Sequence, residues 1–268
     1  MSDTSVSDTW EKGDPYERYV GRWSRRVAPL FLTWLDAPAG RRWLDIGCGT
    51  GALSETIADR CAPASLVGVD PADGFLEVAK TRLGERVTFR RGDANSIPLA
   101  DATVDQVVSG LMLNFVPDPR TALFEMARVT VPGGTVAAYV WDYSDRMELT
   151  RYFWDAAVEL DPGAGRLHEG VRFPLCRAHA LSELFRDAGF AGVDVTAIEV
   201  STPFASFDAY WQPFLGGQGP APTYAMSLTD SKRQRLRDLL RARLPIGADG
   251  TIALVARAWA VRGGVASA

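Results

Sequence analysis

Arg41-Arg42-Trp43-Leu44-Asp45-Ile46-Gly47-Cys48-Gly49-Thr50-Gly51 is a short apolar strand with a carboxylate near its end, followed by three glycines at alternate positions. Ala52-Leu53-Ser54 then open a helix. Glycine is used where the backbone takes φ > 0 or where a ligand must approach the main chain closely. A strand, a tight loop and a helix with a ligand against the loop are therefore predicted. Gly47-x-Gly49-x-x-Ala52 satisfies the GxGxxG/A pattern, in which a pyrophosphate rests on a helix N-terminus. Asp45 speaks against that ligand, because its charge opposes the diphosphate that the helix dipole attracts. A ligand with a cationic amino group near the turn removes the conflict.

Outward from the loop, strands alternate with helices. Ser65–Asp70 (SLVGVD), Val87–Asp93 (VTFRRGD), Asp105–Leu111 (DQVVSGL) and Thr135–Trp141 (TVAAYVW) read as strands two to five. Helical spacing falls at Asp73–Leu83 and Pro119–Val129, and Pro132-Gly133-Gly134 reads as a turn. Apolar runs of about six residues alternating with helices imply parallel strands buried on both faces. Right-handed crossovers then give an α/β, doubly wound sheet. Carboxylates close the first three strands at Asp45, Asp70 and Asp93. Three acceptors suit a cationic ligand with several hydrogen-bond donors, and suit a polyanion poorly. Asp70 alone serves a dinucleotide equally well. Asp73 is the better candidate to cap the helix that follows Pro71.

The loop resembles the D/E-x-G-x-G-x-G motif of class I methyltransferases that use S-adenosylmethionine (SAM), a ligand with both an ammonium and a sulfonium. The segment after the fourth strand, Ser109-Gly110-Leu111-Met112-Leu113-Asn114-Phe115-Val116-Pro117, resembles that of the ubiquinone/menaquinone methyltransferase-like (type 11) group. That group often has two histidines where Asn114 and Phe115 stand here. The resemblance covers roughly residues 40–143. It implies a Rossmann-like, seven-stranded, mostly parallel sheet with the last strand antiparallel, and SAM as cofactor with S-adenosylhomocysteine (SAH) as product. It also implies cofactor contacts from Tyr19, Arg22, Asp45, Gly47, Cys48, Gly49, Gly51, Asp70, Pro71, Asp93, Ala94 and Ser109. Tyr16 is a further aromatic candidate to close over the cofactor, and Arg22 suits its carboxylate. No catalytic residue is assigned; the candidates are His168, beside Glu169, as a base, and Asn114. The Asn114 amide can hydrogen-bond a substrate or the cofactor but removes the imidazole base that the group often has there. His168 reads more readily as a surface-loop residue, and His179 as structural.

The 268 residues are 47% hydrophobic and 23% charged, with a net charge of −4, which gives no general attraction to nucleic acid or anionic membrane. Nothing matches the Asn/Asp-Pro-Pro-Tyr pattern of nucleic-acid base or glutamine methylation. Three cysteines without CxxC spacing and two histidines supply no metal site. Met1 to Lys12 has no leader-like apolar stretch, and no apolar run approaches the ~20 residues of a membrane helix. The expectation is a cytoplasmic protein, monomer or homodimer, with a small-molecule substrate.

The organisation is read as an N-terminal helical lid over 1–40, a SAM-binding core over 41–143 and a helical insertion over 144–177. A core helix and strand follow over 178–203, then a second helical insertion over 204–250 and a final strand and tail over 251–268. Helices are expected at Met147–Leu160, Ala178–Ala188, Phe207–Phe214 and Ser231–Leu244, and strands at Val193–Val200 and Thr251–Val261. Gln212–Thr223 reads as a Gly/Pro break. Both insertions are aromatic-rich, which reads as core packing or as a substrate lid. Lys232, Arg233, Arg235, Arg237, Arg241 and Arg243 give the last helix a basic face, either solvated or a docking surface for an acidic partner. Three functions follow: methyl transfer from SAM to a small molecule, use of SAM as a structural or electrostatic element in another reaction, or nicotinamide-dependent oxidoreduction.

Overall fold

The computed structural model describes residues 21–216 and 219–267. Tyr16 and Tyr19 lie outside them, and Arg22 is described only as part of a helical backbone. Seven strands form one sheet in the order β3-β2-β1-β4-β5-β7-β6. They are β1 (Arg42–Ile46), β2 (Ser65–Asp70), β3 (Thr88–Arg91), β4 (Val104–Gly110), β5 (Thr130–Trp141), β6 (Ala191–Phe204) and β7 (Ile252–Gly264). β1 pairs in parallel with β2 and β4, and β5 antiparallel with β7. Central β1 is buried from Trp43 to Ile46, as a strand covered on both faces must be.

The chain divides into two compact units. The first takes Ser24–Trp141, Leu175–Ile198 and the chain from Ala258. It holds α1 (Arg22–Leu35, from Ser24 on), α2 (Ala52–Arg60), α3 (Asp73–Leu83) and α4 (Pro119–Val129). Its core joins Leu44, Ile46, Val107, Leu123, Met126, Val140 and Phe185, among others. α4 starts where the sequence says it should: Asp118 caps the N–H groups of Arg120 and Thr121, with Pro119 in the first turn. Residues 24–40, grouped with a lid from sequence, cluster with this unit.

The second unit takes Asp142–Pro174 and Glu199–Arg257. It holds α5 (Glu148–Leu160), α6 (Glu169–Arg172), α8 (Phe207–Trp211), α9 (Pro220–Ser227) and α10 (Asp230–Arg243), while α7 (Ala178–Asp187) belongs to the first. Phe153 stacks on Phe214 at 4.6 Å, and Trp154 packs on Phe153 at 5.2 Å. All three rings are fully buried, as is Tyr210, so these aromatics make a core. Arg257 donates to Asp142 at 2.7 Å and to Asp145 at 2.9 Å, neutralising a buried carboxylate.

Several expectations need correction. Pro132-Gly133-Gly134 lies inside β5, where the pairing with β4 jumps from Val104↔Thr130 to Gln106↔Thr135. The extra residues bulge at a proline that has no N–H to give the ladder. α9 forms within the supposed Gly/Pro break because Pro220 stands in the first turn, where a missing N–H costs nothing. Asp73 does not cap α3: Ala72 holds that position with no side-chain cap, and Asp73 meets Arg91 at 3.5 Å. The basic face of α10 is largely engaged within its own unit. Arg233 donates to the carbonyls of Ala225 and Leu228, Arg237 to Asp208, Arg243 pairs with Glu159, and Arg241 lies over Phe207.

Candidate cofactor site

The site lies wholly in the first unit, at the carboxyl ends of β1, β2 and β4. Gly47 and Cys48 both donate backbone N–H bonds to the carbonyl of Val69, at 2.8 and 3.1 Å, which anchors the loop to β2. Gly51 closes the turn on Cys48 O at 2.9 Å and caps α2 with φ +83°. Three glycines with positive φ do different work. A Cβ on Gly47 would sit 2.4 Å from Met112 Cγ, and one on Gly51 2.9 Å from Leu83. A Cβ on Gly49, at φ +53°, would meet no atom within 4 Å. Gly47 and Gly51 are needed for packing, whereas Gly49 borders open space.

Asp45 is wholly buried. Its Oδ2 accepts from Ser54 Oγ at 2.6 Å, and its Oδ1 has no partner among the described residues. Burial pushes this carboxyl up to about 7; the Ser54 hydroxyl opposes the shift and the charge of Asp70 adds to it. Asp70 is nearly buried and braces the loop. Its Oδ2 accepts from Gly49 N and its Oδ1 from Ala72 N, both at 2.9 Å. Burial raises the Asp70 carboxyl against these two bonds. Burial, with the charges of Asp45 and Asp70, also pushes the Cys48 thiol well above its usual range, so it is an inert filler.

β4 adds Ser109, wholly buried, with an Oγ that has no partner among the described residues. Leu111 follows at φ +65°, a conformation that a leucine pays for in strain, and donates to Tyr139 O at 2.8 Å. That turn sets Met112 against Gly47. Asn114 Oδ1 is likewise buried, with no partner among the described residues. Such orphaned polar atoms are costly unless a ligand or water meets them. Asp93 is exposed and accepts from Asn95 N at 2.7 Å, with Ala94 buried beside it and Pro71 exposed. His168, in the second unit, is half-buried rather than a free loop residue. Its Nδ1 accepts from Gly170 N at 2.8 Å and caps α6. A proton therefore sits on Nε2, and the basic nitrogen is already occupied. His179 is exposed and pairs with Glu183.

A buried carboxylate with one free oxygen, beside a glycine edge open to a ligand, fits an ammonium better than a phosphate. Sequence missed Ser54, Leu111 and Met112. Ser54 did leave a signal, as the hydroxyl within the inward stripe Leu53, Ser54, Ile57 of α2.

Residues 44–138 match a family model described as a methyltransferase domain (type 11). A demethylmenaquinone methyltransferase from a Geobacillus species is 30% identical over 178 residues, 60% of this chain and 75% of that protein. The chain belongs to the methyltransferase type 11 family. A demethylmenaquinone methyltransferase from Renibacterium salmoninarum is 41% identical over 111 residues, 41% of this chain and 46% of that protein. The chain thus spans less than half the length of the first curated relatives it matches. A solved Bacillus halodurans protein, described as a candidate methyltransferase, superposes with a TM-score of 0.60 at 14% identity, covering 90% of this chain and 99% of that one. At that identity the likeness is one of fold: the strand order and antiparallel β7 are those of class I methyltransferases. Membership of the type 11 family implies SAM as cofactor. Among the described residues no helix is long and apolar enough to cross a membrane, and no cluster of three metal-ligating side chains occurs.

Proposed function

We propose that this protein transfers the methyl group of SAM to a small-molecule acceptor, with a quinol- or phenol-like ring as the first class to test. The observation that carries the reading is Asp45, a buried carboxylate whose Oδ1 has no partner among the described residues. Asp45 would meet the ammonium, Asp70 the ribose hydroxyls with the lone pairs its two backbone bonds leave free, and the turn at Asp93-Ala94 the adenine. Gly49 lets the main chain come close. When bound, SAM supplies an electrophilic methyl group on a sulfonium. The chain has to hold the acceptor in line with that methyl, about 3 Å away, and exclude water. Ser109 and Asn114, with buried polar atoms left unpaired, are suited to orient the acceptor or the cofactor's amino-acid end.

The relatives named as demethylmenaquinone methyltransferases support the ring-bearing class. The unit built from Asp142–Pro174 and Glu199–Arg257 carries the acceptor specificity in this proposal. Its first segment continues directly from the carboxyl end of β5, and ligands in open α/β sheets bind at the carboxyl ends of the strands. His168 is not assigned as the base, because its Nδ1 is committed to Gly170.

Calorimetry with SAM, SAH and NAD tests the cofactor. Binding of SAM and SAH without NAD is expected; NAD binding with no SAM binding overturns the proposal. Methyl-labelled SAM incubated with quinols, phenols and amines then tests transfer. Label reaching no acceptor, with SAM bound, would favour a SAM-dependent reaction other than methylation.

A further inference from the structure

We infer that Ser54 is a positioning residue for the cofactor: its hydroxyl holds one oxygen of Asp45 and so aims the other at the cation above the glycine loop. The inference rests on the function proposed above.

The geometry is local and complete. Ser54 and Asp45 are both wholly buried, and the Ser54 Oγ to Asp45 Oδ2 distance is 2.6 Å, a charge-assisted length. Ser54 lies in the first turn of α2, immediately after the loop, so the helix that opens the cofactor cradle also carries the clamp. On either side of Asp45 the sheet places Gly68 of β2 and Val108 of β4, neither of which can donate from a side chain. The titratable group that acts on it is Asp70 at the end of β2, and Cys48 lies nearby in the loop. The Ser54 backbone N–H favours its ionised form alongside the hydroxyl. Asp70 opposes its charge, and the Cys48 thiol stays protonated. No cationic side chain pairs with Asp45 among the described residues. Ser54 is thus the side chain that favours an ionised Asp45 and fixes its rotation.

Two consequences separate this role from packing. Without the hydroxyl, Asp45 keeps only the Ser54 backbone N–H, so the oxygen meant for the ammonium is held less firmly. Burial and Asp70 are then opposed by the Ser54 backbone N–H alone, so Asp45 holds its proton to higher pH and must release it for an ammonium to bind. A hydroxyl needed only for packing would change stability and leave the pH dependence of binding alone.

The test is calorimetric binding of SAM and SAH to the full chain from pH 6.5 to 8.5, with thermal melts as a fold control. Ser54→Ala is expected to bind about tenfold to a hundredfold more weakly at pH 7, the usual range for a hydrogen bond to a charged group. The deficit should narrow towards pH 8.5. Ser54→Thr, which keeps the hydroxyl, should restore most of the affinity. In an Asp45→Asn background, Ser54→Ala should add little. Wild-type-like binding by Ser54→Ala, with Asp45→Asn weakened, overturns the positioning role and leaves the proposed function standing. An equal loss in both backgrounds also overturns it, by showing that the effect does not pass through Asp45. If the wild-type protein binds neither SAM nor SAH, the proposed function falls and takes this role with it.

Discussion

Asp45→Asn should make the cofactor-free protein more stable and at the same time a poorer binder. Asp45 is wholly buried with its charge unpaired, and its carboxyl sits at about 7 against an ordinary 3.8. A carboxyl raised on folding contributes stability that is fully present below 3.8 and lost as pH rises towards 7. The full loss is about 4 kcal/mol at about 1.4 kcal/mol per unit, and about half of it falls between pH 5.5 and 8.5. An asparagine has the same shape, can still accept from Ser54, and carries no charge to desolvate. Urea denaturation at pH 5.5, 7 and 8.5 should show wild-type stability falling relative to Asp45→Asn by about 2 kcal/mol across the series. Calorimetry at pH 7.5 should show SAM affinity reduced by about 2–4 kcal/mol, the usual cost of removing one partner from a buried charge pair. The same pH dependence in both proteins, or a less stable variant at pH 8.5, would refute the assignment of an unpaired buried carboxylate.

Gly49→Ala and Gly47→Ala should part company. The first should fold with a penalty of about 1–2 kcal/mol for an alanine at positive φ and lose SAM binding. The second should destabilise the fold itself, since its Cβ would lie 2.4 Å from Met112, and melting curves with and without SAM distinguish them. His168→Ala should cost about 1 kcal/mol of stability, as a lost helix cap does, and leave the pH profile of methyl transfer unchanged. Arg257→Ala strips the buried Asp142 of its cation and should cost about 3–5 kcal/mol in denaturant melts, with Asp142→Asn in the same chain recovering part of it.

The parallel core was legible because its signals are local. Trp43–Ile46 is apolar but for Asp45, the glycines are spaced two apart, and Asp118-Pro119 spells out a helix start. What escaped depends on contacts distant in sequence. Gly47 and Gly49 look alike in the chain, and only Met112, brought in by the left-handed Leu111, separates a packing glycine from a ligand-facing one. Asp70 reads as a ribose acceptor, yet its bonds to Gly49 and Ala72 add a bracing role that spacing could not reveal. Pro132-Gly133-Gly134 has the composition of a turn, and whether such residues end a strand or bulge within it is decided by the neighbour, β4. The arginines of α10 read as a basic face, solvated or docking, while the partners that engage several of them, Glu159, Phe207 and Asp208, lie far away in sequence.

The brace that Asp70 makes between Gly49 and Ala72 has a kinetic consequence. It needs no ligand to form, so the loop has its docking shape before the cofactor arrives, and little ordering is left to oppose binding. On the proposed function, the seat contacts the ribose, adenine and ammonium, all of which SAM and SAH share, and only the sulfonium tells them apart. A rigid seat of that kind releases the spent cofactor slowly. On that function, turnover paced by departure of SAH and inhibition by accumulating SAH are the expected outcome, read from progress curves with and without enzymatic removal of SAH.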